Sequence, residues 1–341
     1  MTNLTTKYAG LTLKNPLIVS SSGLTNSLNG IKKAYESGAG AIVIKSLFEE
    51  QIIKDSFKEI PQHAEEYDYL MKYNTHSYLQ LIEDAKKACK IPIIASINCT
   101  TASNWSEYAK SIESSGADAL ELNIMIFPEQ ELSPINPFEK WFYDNYPFKT
   151  STPKSKIQSS EDIERNIYQI VKNVKLNLKI PVTAKLGPYF TSLETVTEKL
   201  STLCNGIVLF NNFYTPDFDI HTGKLIHNIH FTHPEQMYNT LRWIALLSKD
   251  LKCDLSASTG IHDYESCIKM IMCGASSVQL CSVLYQKGMS VIPEFLSSLE
   301  KWMTAKGYQT INDFKGAFHK NLDKNIFSRM QYIKMYSGID Q

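Results

Sequence analysis

Three stretches, ESGAGAIVIKS at 36–46, SSGADALELNI at 114–124 and MCGASSVQLCS at 272–282, are versions of one local pattern. In each, a helix-like segment stops at Gly-Ala and a short apolar run begins. Glycine just past a helix end takes the positive φ that closes the last turn. An unbroken apolar run of this length suits a strand buried on both faces, as in a parallel sheet. Working outward gives eight such runs: 17–21 (LIVSS), 41–46 (AIVIKS), 92–98 (PIIASIN), 118–123 (DALELN), 181–186 (PVTAKL), 206–211 (GIVLFN), 253–258 (CDLSAS) and 277–282 (SVQLCS). A helix-like segment follows each, over 28–37, 76–88, 103–114, 161–178, 192–203, 234–249, 263–272 and 290–305. Ser103 and Ser160 are the expected N-caps of two of them, and Glu161 and Asp162 suit the positive end of the second. Strict alternation of eight β-α units predicts an α/β fold, a single (β/α)8 TIM barrel. An open doubly wound sheet would call for a Gly-rich nucleotide turn after its first strand, and no GxGxxG is present.

Such a barrel needs about 250 residues, whereas the chain has 341. We expect one domain over 1–341, with a barrel core at about 15–305. The excess falls into an N-terminal hairpin at 5–14 that closes the barrel bottom, insertions at 47–75, 127–160 and 212–233, and a C-terminal helical tail at 306–341. The three insertions are βα loops, which lie on the face where barrel active sites are built. The second is rich in Pro and aromatics (Pro128, Pro134, Pro137, Phe138, Trp141, Phe142, Tyr143, Tyr146) and reads as a lid or interface.

Hydrophobic residues make up 43% and charged residues 21%, which excludes a disordered chain. Lys+Arg and Asp+Glu are 35 each, so no net charge argues for nucleic acid or an anionic membrane as partner. No run of about 18 apolar residues predicts a membrane span. The first residues, MTNLTTKYAG, carry no secretory pattern. The seven cysteines include no CxxC, and we read them as reduced thiols of a cytoplasmic protein.

The strand ends are polar: Ser21 and Ser22, Lys45 and Ser46, Asn98, Asn123, Lys185, Asn211 and Asn212, Ser258 and Thr259, and Ser282. Two lysines and four asparagines without a carboxylate suit an anionic, planar, hydrogen-bonding ligand. The set suits neither a metal nor glycoside hydrolysis. His221, His227, His230 and His233 fit no helix face and read as a polar loop, with Asp217 and Asp219 as turn residues, so no metal is expected. The loops after the last two strands, STGI (258–261) and CSVL (281–284), stand at the usual phosphate site of the fold. Ser258, Thr259 and Gly260 are small enough for that approach.

With these residues in place, the sequence resembles the dihydroorotate dehydrogenase family of FMN-dependent barrel enzymes, over about residues 5–315. NPLIVSSSG (15–23) resembles its opening strand, which meets the flavin. GAGAIVIKS (38–46) resembles its second strand, which makes Lys45 and Ser46 flavin contacts. ELN (121–123) resembles its Leu-Asn motif, with Asn123 as a substrate or flavin ligand. AKLGPYF (184–190) is similar to its Lys-Leu-x-Pro motif, with Lys185 at the flavin N1/O2 edge. LFNNF (209–213) resembles the strand whose Asn211 and Asn212 hold substrate. ASTGIHDYESCIKMIMCGASSVQLCSVL (257–284) resembles the flavin phosphate site and implicates Ser258, Thr259, Gly260, Cys281 and Ser282.

The resemblance implies bound FMN, a small-molecule substrate of the dihydropyrimidine kind, a place in pyrimidine biosynthesis, a homodimer and an electron-transfer partner. Ser21, Ser22, Asn98 and Asn211 join the expected cofactor contacts, and Lys45 and Lys185 are the expected catalytic residues. The match is nearest to the soluble, divergent "dihydroorotate dehydrogenase-like" branch.

The departures lie on the substrate side. The family carries a Cys or Ser base shortly after its Leu-Asn; here 124–130 reads IMIFPEQ, with Met125, Ile126 and Phe127 at the place of the base. KYNTHSYL (72–79) stands near the place of its Asn-x-Met-Gly loop. KLIHNIHFTHPEQ (224–236) replaces its Gly-rich turn. Cys99, or a Tyr or His from an insertion, is a candidate replacement base. Two other readings stay open: a flavin-binding protein without catalysis, and a Schiff-base lyase using Lys45 or Lys185.

Overall fold

The computed structural model describes residues 2–49, 51, 74–98, 105–125, 159–213, 217–226 and 231–321. Eight parallel strands close into a ring: β3 (Leu17–Val19), β4 (Ala41–Val43), β6 (Ile93–Asn98), β7 (Ala119–Ile124), β8 (Val182–Leu186), β9 (Gly206–Leu209), β12 (Asp254–Ala257) and β13 (Ser277–Leu280). Each pairs with the next, and β13 pairs back onto β3. A two-residue strand, β5 (Leu47–Phe48), adds to the upper end of β6. The fold is the expected (β/α)8 barrel.

The surrounding helices are α1 (Leu28–Glu36), α2 (Thr75–Ala88), α3 (Trp105–Ser114), α4 (Ser160–Asn177), α5 (Leu193–Ser201), α6 (Met237–Leu247), α7 (Tyr264–Met272), a short α8 (Ser282–Lys287) and α9 (Val291–Lys306). Side chains cap five of them: Ser27, Asn74, Ser159, Ser192 and Asp263 each accept a hydrogen bond from a first-turn amide. Each such cap contributes about 1 kcal/mol. The cap of α4 is thus Ser159, one residue before the expected Ser160, because its Oγ is the one that receives the Asp162 amide at 3.2 Å. Ser103 lies outside the described residues. Gly38, Gly116 and Gly274, the glycines of the recurring pattern, end α1, α3 and α7 with φ of 97°, 89° and 109°.

Alternation along the strands sorts the barrel into two apolar sets. Leu17, Val19, Ile42 and Ile44 point outward to the helices and join the large outer core. Ile18, Ala41, Val43, Ile94, Ala119 and Val208 point inward and pack against Tyr8, Ala9 and Leu13. The last three belong to the expected hairpin, β1 (Thr6–Tyr8) with β2 (Leu11–Leu13), which seals the barrel bottom. Asp254 at the start of β12 anchors it, accepting the Ala9 amide at 2.8 Å.

Several strands stop two residues short of the expected runs. Beyond the strand ends, Ser20, Phe210 and Asn211 still donate their amides to Leu280, Ser258 and Leu186 O on the neighbouring chains, and all three line the barrel mouth. Of the insertions, 47–75 and 127–160 lie mostly outside the described residues. Within 212–233, β10 (Asp217–Phe218) and β11 (Leu225–Ile226) form a small hairpin. Asp219 accepts the His221 and Thr222 amides at its turn, which holds its carboxyl below the usual range. The tail begins as two 3-10 turns, Ile311–Asp313 and Ala317–Asn321, and residues 322–341 lie outside the described set. No described helix is long and apolar enough to cross a membrane.

Candidate active site

Inward-facing positions change character up the barrel. Above the apolar floor come Ser20, Ser96, Glu121, Thr183 and Gln279, all buried, and above these Lys45, Asn123 and Lys185. The register explains the grouping: Ser96, Glu121 and Thr183 are paired in one row across β6, β7 and β8, and Asn98, Asn123 and Lys185 in the row two residues higher. Lys45 and Lys185 of this upper level border a cavity of about 660 Å³, within the range of small-molecule sites.

Lys185 stands at the cavity floor, 6% exposed. Its ammonium donates to Ser20 Oγ at 2.9 Å and to Gln279 Oε1 at 3.2 Å, and the third proton remains for a ligand. Lys45 enters from β4, with Nζ 5.3 Å from the centre of the Phe48 ring. Burial lowers its ammonium from the ordinary value, against the opposing influence of Cys281. Burial likewise raises the Cys281 thiol, while Lys185, Ser22 and Lys45 pull it down. Ser21 borders the cavity and is held from behind: its Oγ lies 2.9 Å from Ser46 Oγ, which lies 2.8 Å from Ser96 Oγ. On the far side, Asn211 Nδ2 donates to Asn123 Oδ1 at 2.7 Å and to Met125 Sδ at 2.7 Å.

The other end of the cavity is built from backbone. Thr259 and Gly260 both have positive φ, 81° and 74°. A threonine there costs about 1–3 kcal/mol, a strain that concentrates at ligand sites. The Thr259 hydroxyl offsets it by donating to Phe210 O at 2.7 Å. The Gly260 and Ile261 amides donate to no other group among the described residues, yet both residues border the cavity. Facing them are Cys281 and Ser282, with Ser282 Oγ accepting the Thr232 amide at 3.1 Å. Phe231 and Tyr285 stack over this end, ring centres 5.3 Å apart. Free amides and two ammonium groups lining one cavity suit an anionic, hydrogen-bonding ligand.

Eleven of the expected residues border this cavity: Ser21, Ser22, Lys45, Lys185, Asn211, Asn212, Ser258, Thr259, Gly260, Cys281 and Ser282. Ser46, Asn98 and Asn123 do not border the described cavity and instead hold neighbours. Ser46 supports Ser21, Asn98 Nδ2 donates to Asn123 O at 3.1 Å, and Asn123 receives Asn211. Sequence reasoning missed Ser20, Gln279, Phe231, Thr232 and Tyr285, which border the cavity, and Glu121 beneath it. Strand parity carries a signal for three of them: Ser20, Glu121 and Gln279 each stand two residues before an expected site position, on the same face. Phe231, Thr232 and Tyr285 arrive from a long loop and a helix, which local pattern does not register.

No family model matches the sequence. The chain is, however, similar along most of its length to curated proteins named "Dihydroorotate dehydrogenase B (NAD(+)), catalytic subunit". With that of Thermoplasma volcanium it shares 26% identity over 325 residues, 93% of this chain and 98% of the relative. With that of Pyrococcus furiosus it shares 25% over 323 residues, 91% and 97%. With that of Methanosarcina mazei it shares 25% over 319 residues, 91% and 94%. The likeness to dihydroorotate dehydrogenases thus runs along nearly the whole chain, at low identity. The divergence from these relatives has a local expression. Where the family pattern carries its base after the Leu-Asn, Met125 turns its sulfur to Asn211, and residues 126–130 lie outside the described set, as does Cys99.

Proposed function

We propose that this chain is an FMN-dependent oxidoreductase that transfers hydride between a CH–CH bond of a dihydropyrimidine-like ring and the flavin. The observation that carries the reading is the pairing, in one barrel mouth, of the buried Lys185 ammonium with the unclaimed Gly260 and Ile261 amides. The donor set fits FMN: ammonium groups for the N1/O2 edge of the ring, and backbone amides beside Cys281 and Ser282 for the phosphate. When bound, the flavin supplies the two-electron redox chemistry. The protein's part is positioning and charge. Lys185, fixed by Ser20 and Gln279, presents a proton donor to the ring edge without having to reorganise. Lys45 and Ser21 stand on the β3–β4 side, and Asn211 and Asn212 on the β9 side, to orient the substrate ring.

The base is the part of the family pattern that this chain replaces. A general base contributes about 10²- to 10⁴-fold, so a methionine at that place argues for a changed substrate or a base supplied from a βα loop. Relatives named as catalytic subunits of an NAD(+)-linked enzyme support electron transfer onward to a partner chain. A homodimer and action in the cytoplasm complete the reading, and both rest on the resemblance.

Anaerobic titration of the FMN-loaded protein with dihydroorotate tests it. Bleaching of the oxidised-flavin band is expected for dihydroorotate or for another cyclic CH–CH reductant. A protein that takes up no FMN refutes the reading. A flavoprotein that no such reductant bleaches would instead be a binding protein without this catalysis. The lowered Lys45 ammonium favours a second reading, carbonyl chemistry through a Schiff base. Borohydride trapping of a carbonyl compound on Lys45 would identify it.

A further inference from the structure

Beneath the cavity stands a carboxylate that the proposed chemistry does not use. Glu121 is 1% exposed inside the barrel. Its Oε2 accepts from Gln279 Nε2 at 2.7 Å, and its Oε1 has no hydrogen-bond partner among the described residues. The same Gln279 turns its Oε1 upward, where it accepts from Lys185 Nζ at 3.2 Å and Ser20 Oγ at 3.0 Å. The amide therefore stands between an acid and an ammonium, with its NH2 toward the first and its carbonyl toward the second. The reverse orientation would set oxygen against oxygen below and N–H against N–H above, so the two charges lock it. All four groups are buried, where charges and dipoles couple more strongly than in water. The negative field of Glu121 is felt by its neighbours: the phenols of Tyr8 and Tyr78 are raised first by burial and then by this carboxylate.

We infer that Glu121 is a positioning residue that sets the reduction potential of FMN bound in this site, acting through Gln279 on Lys185. The inference rests on the FMN reading above. Reduction adds negative charge to the ring, and Lys185 favours that charge. Glu121 opposes it in two ways. Its own charge has the same sign, and through Gln279 it engages one of the ammonium's protons inside the barrel, where that proton would not serve the ring. The relay thus holds the potential below the value that Lys185 alone would impose. Lys45, the Cys281 thiol and the Tyr285 phenol, the other titratable groups at the described cavity wall, lie outside the relay.

The test is the midpoint potential of FMN in the full chain, read by equilibration with a reference dye. Glu121→Gln keeps the shape and removes the charge. It is expected to raise the potential by about 30 mV or more, which for a two-electron couple is a tenfold shift toward reduced flavin. FMN affinity should change little, because Glu121 touches no cavity surface. A purely structural role would lower stability and leave the potential where it was. Should Glu121→Gln fail to fold, Gln279→Met breaks the relay at its middle and is expected to move the potential the same way. A variant with bound FMN and an unchanged or lowered potential overturns this inference alone. A wild-type chain that takes up no FMN overturns the functional reading, and this inference with it.

Discussion

Gly260→Ala tests whether the phosphate end of the cavity is built as described. A methyl group there would lie 2.2 Å from the Met237 nitrogen and 2.8 Å from both Gln236 C and Met237 Cα. All three are backbone atoms at the start of α6, so no side chain can move aside. The residue also has φ of 74°. A left-handed conformation costs a non-glycine residue about 1–2 kcal/mol, and overpacking typically adds about 1–3 kcal/mol. The sum, roughly 2–5 kcal/mol, is a large part of a normal stability of about 5–15 kcal/mol. Gly307→Ala is the control. It is left-handed, with φ of 76° and ψ of 15°, but nothing lies within 4 Å of the added carbon, so it incurs the conformational cost alone. Urea midpoints of the two apo variants separate the contributions. Gly260→Ala should unfold at clearly lower urea and bind FMN more weakly, since relief requires the 258–261 segment and α6 to part. If its midpoint were no lower than that of Gly307→Ala, the close approach of that segment to α6 would be wrong, and the cradle argued from it would fall.

Three further outcomes are expected. Lys185→Met removes a buried charged donor worth about 1.5–3 kcal/mol, so FMN affinity should fall roughly tenfold to a hundredfold, measured by flavin fluorescence titration. Lys45 is held below its ordinary value of 10.5 by burial, so its charged form weighs against the fold at neutral pH. Lys45→Met should therefore raise the apo urea midpoint at pH 7, with a gain that fades as pH rises toward 10.5, where the unfolded chain also loses the proton. Burial likewise holds the His262 imidazole below 6.5, so the unfolded chain takes up the proton first as pH falls. Stability should be lost as pH drops through 6.5 toward the folded value, and His262→Asn should flatten that slope in urea titrations at stepped pH, leaving the part due to His319.

The barrel was legible because its signals are local and repeated. The Gly-Ala stops after α1, α3 and α7 and the apolar runs that follow them state both the element and its end. The strand ends were legible for the same reason, since a lysine or asparagine closing an apolar run is conspicuous. Their exact roles were less so. Asn98, Asn123 and Ser46 sit at strand ends as read, yet spend their hydrogen bonds on neighbours, a matter of side-chain direction that spacing does not contain. Glu121 carries no local signal of its role beyond strand parity, because its meaning depends on Gln279, which lies 158 positions away. Phe231 and Tyr285 meet only after the loop before α6 folds across the mouth toward α8.

The sealed floor of the barrel has a consequence for traffic. Tyr8 and Leu13 are fully buried there beneath the ring of inward-facing aliphatics, so nothing reaches the ligand site from below. Small molecules that reduce or reoxidise a cofactor held above that floor by touching it would both come from the strand-end side. Two reactants that share one doorway take turns. For such an enzyme the steady-state signature is a family of parallel double-reciprocal lines, with the first product gone before the second reactant arrives.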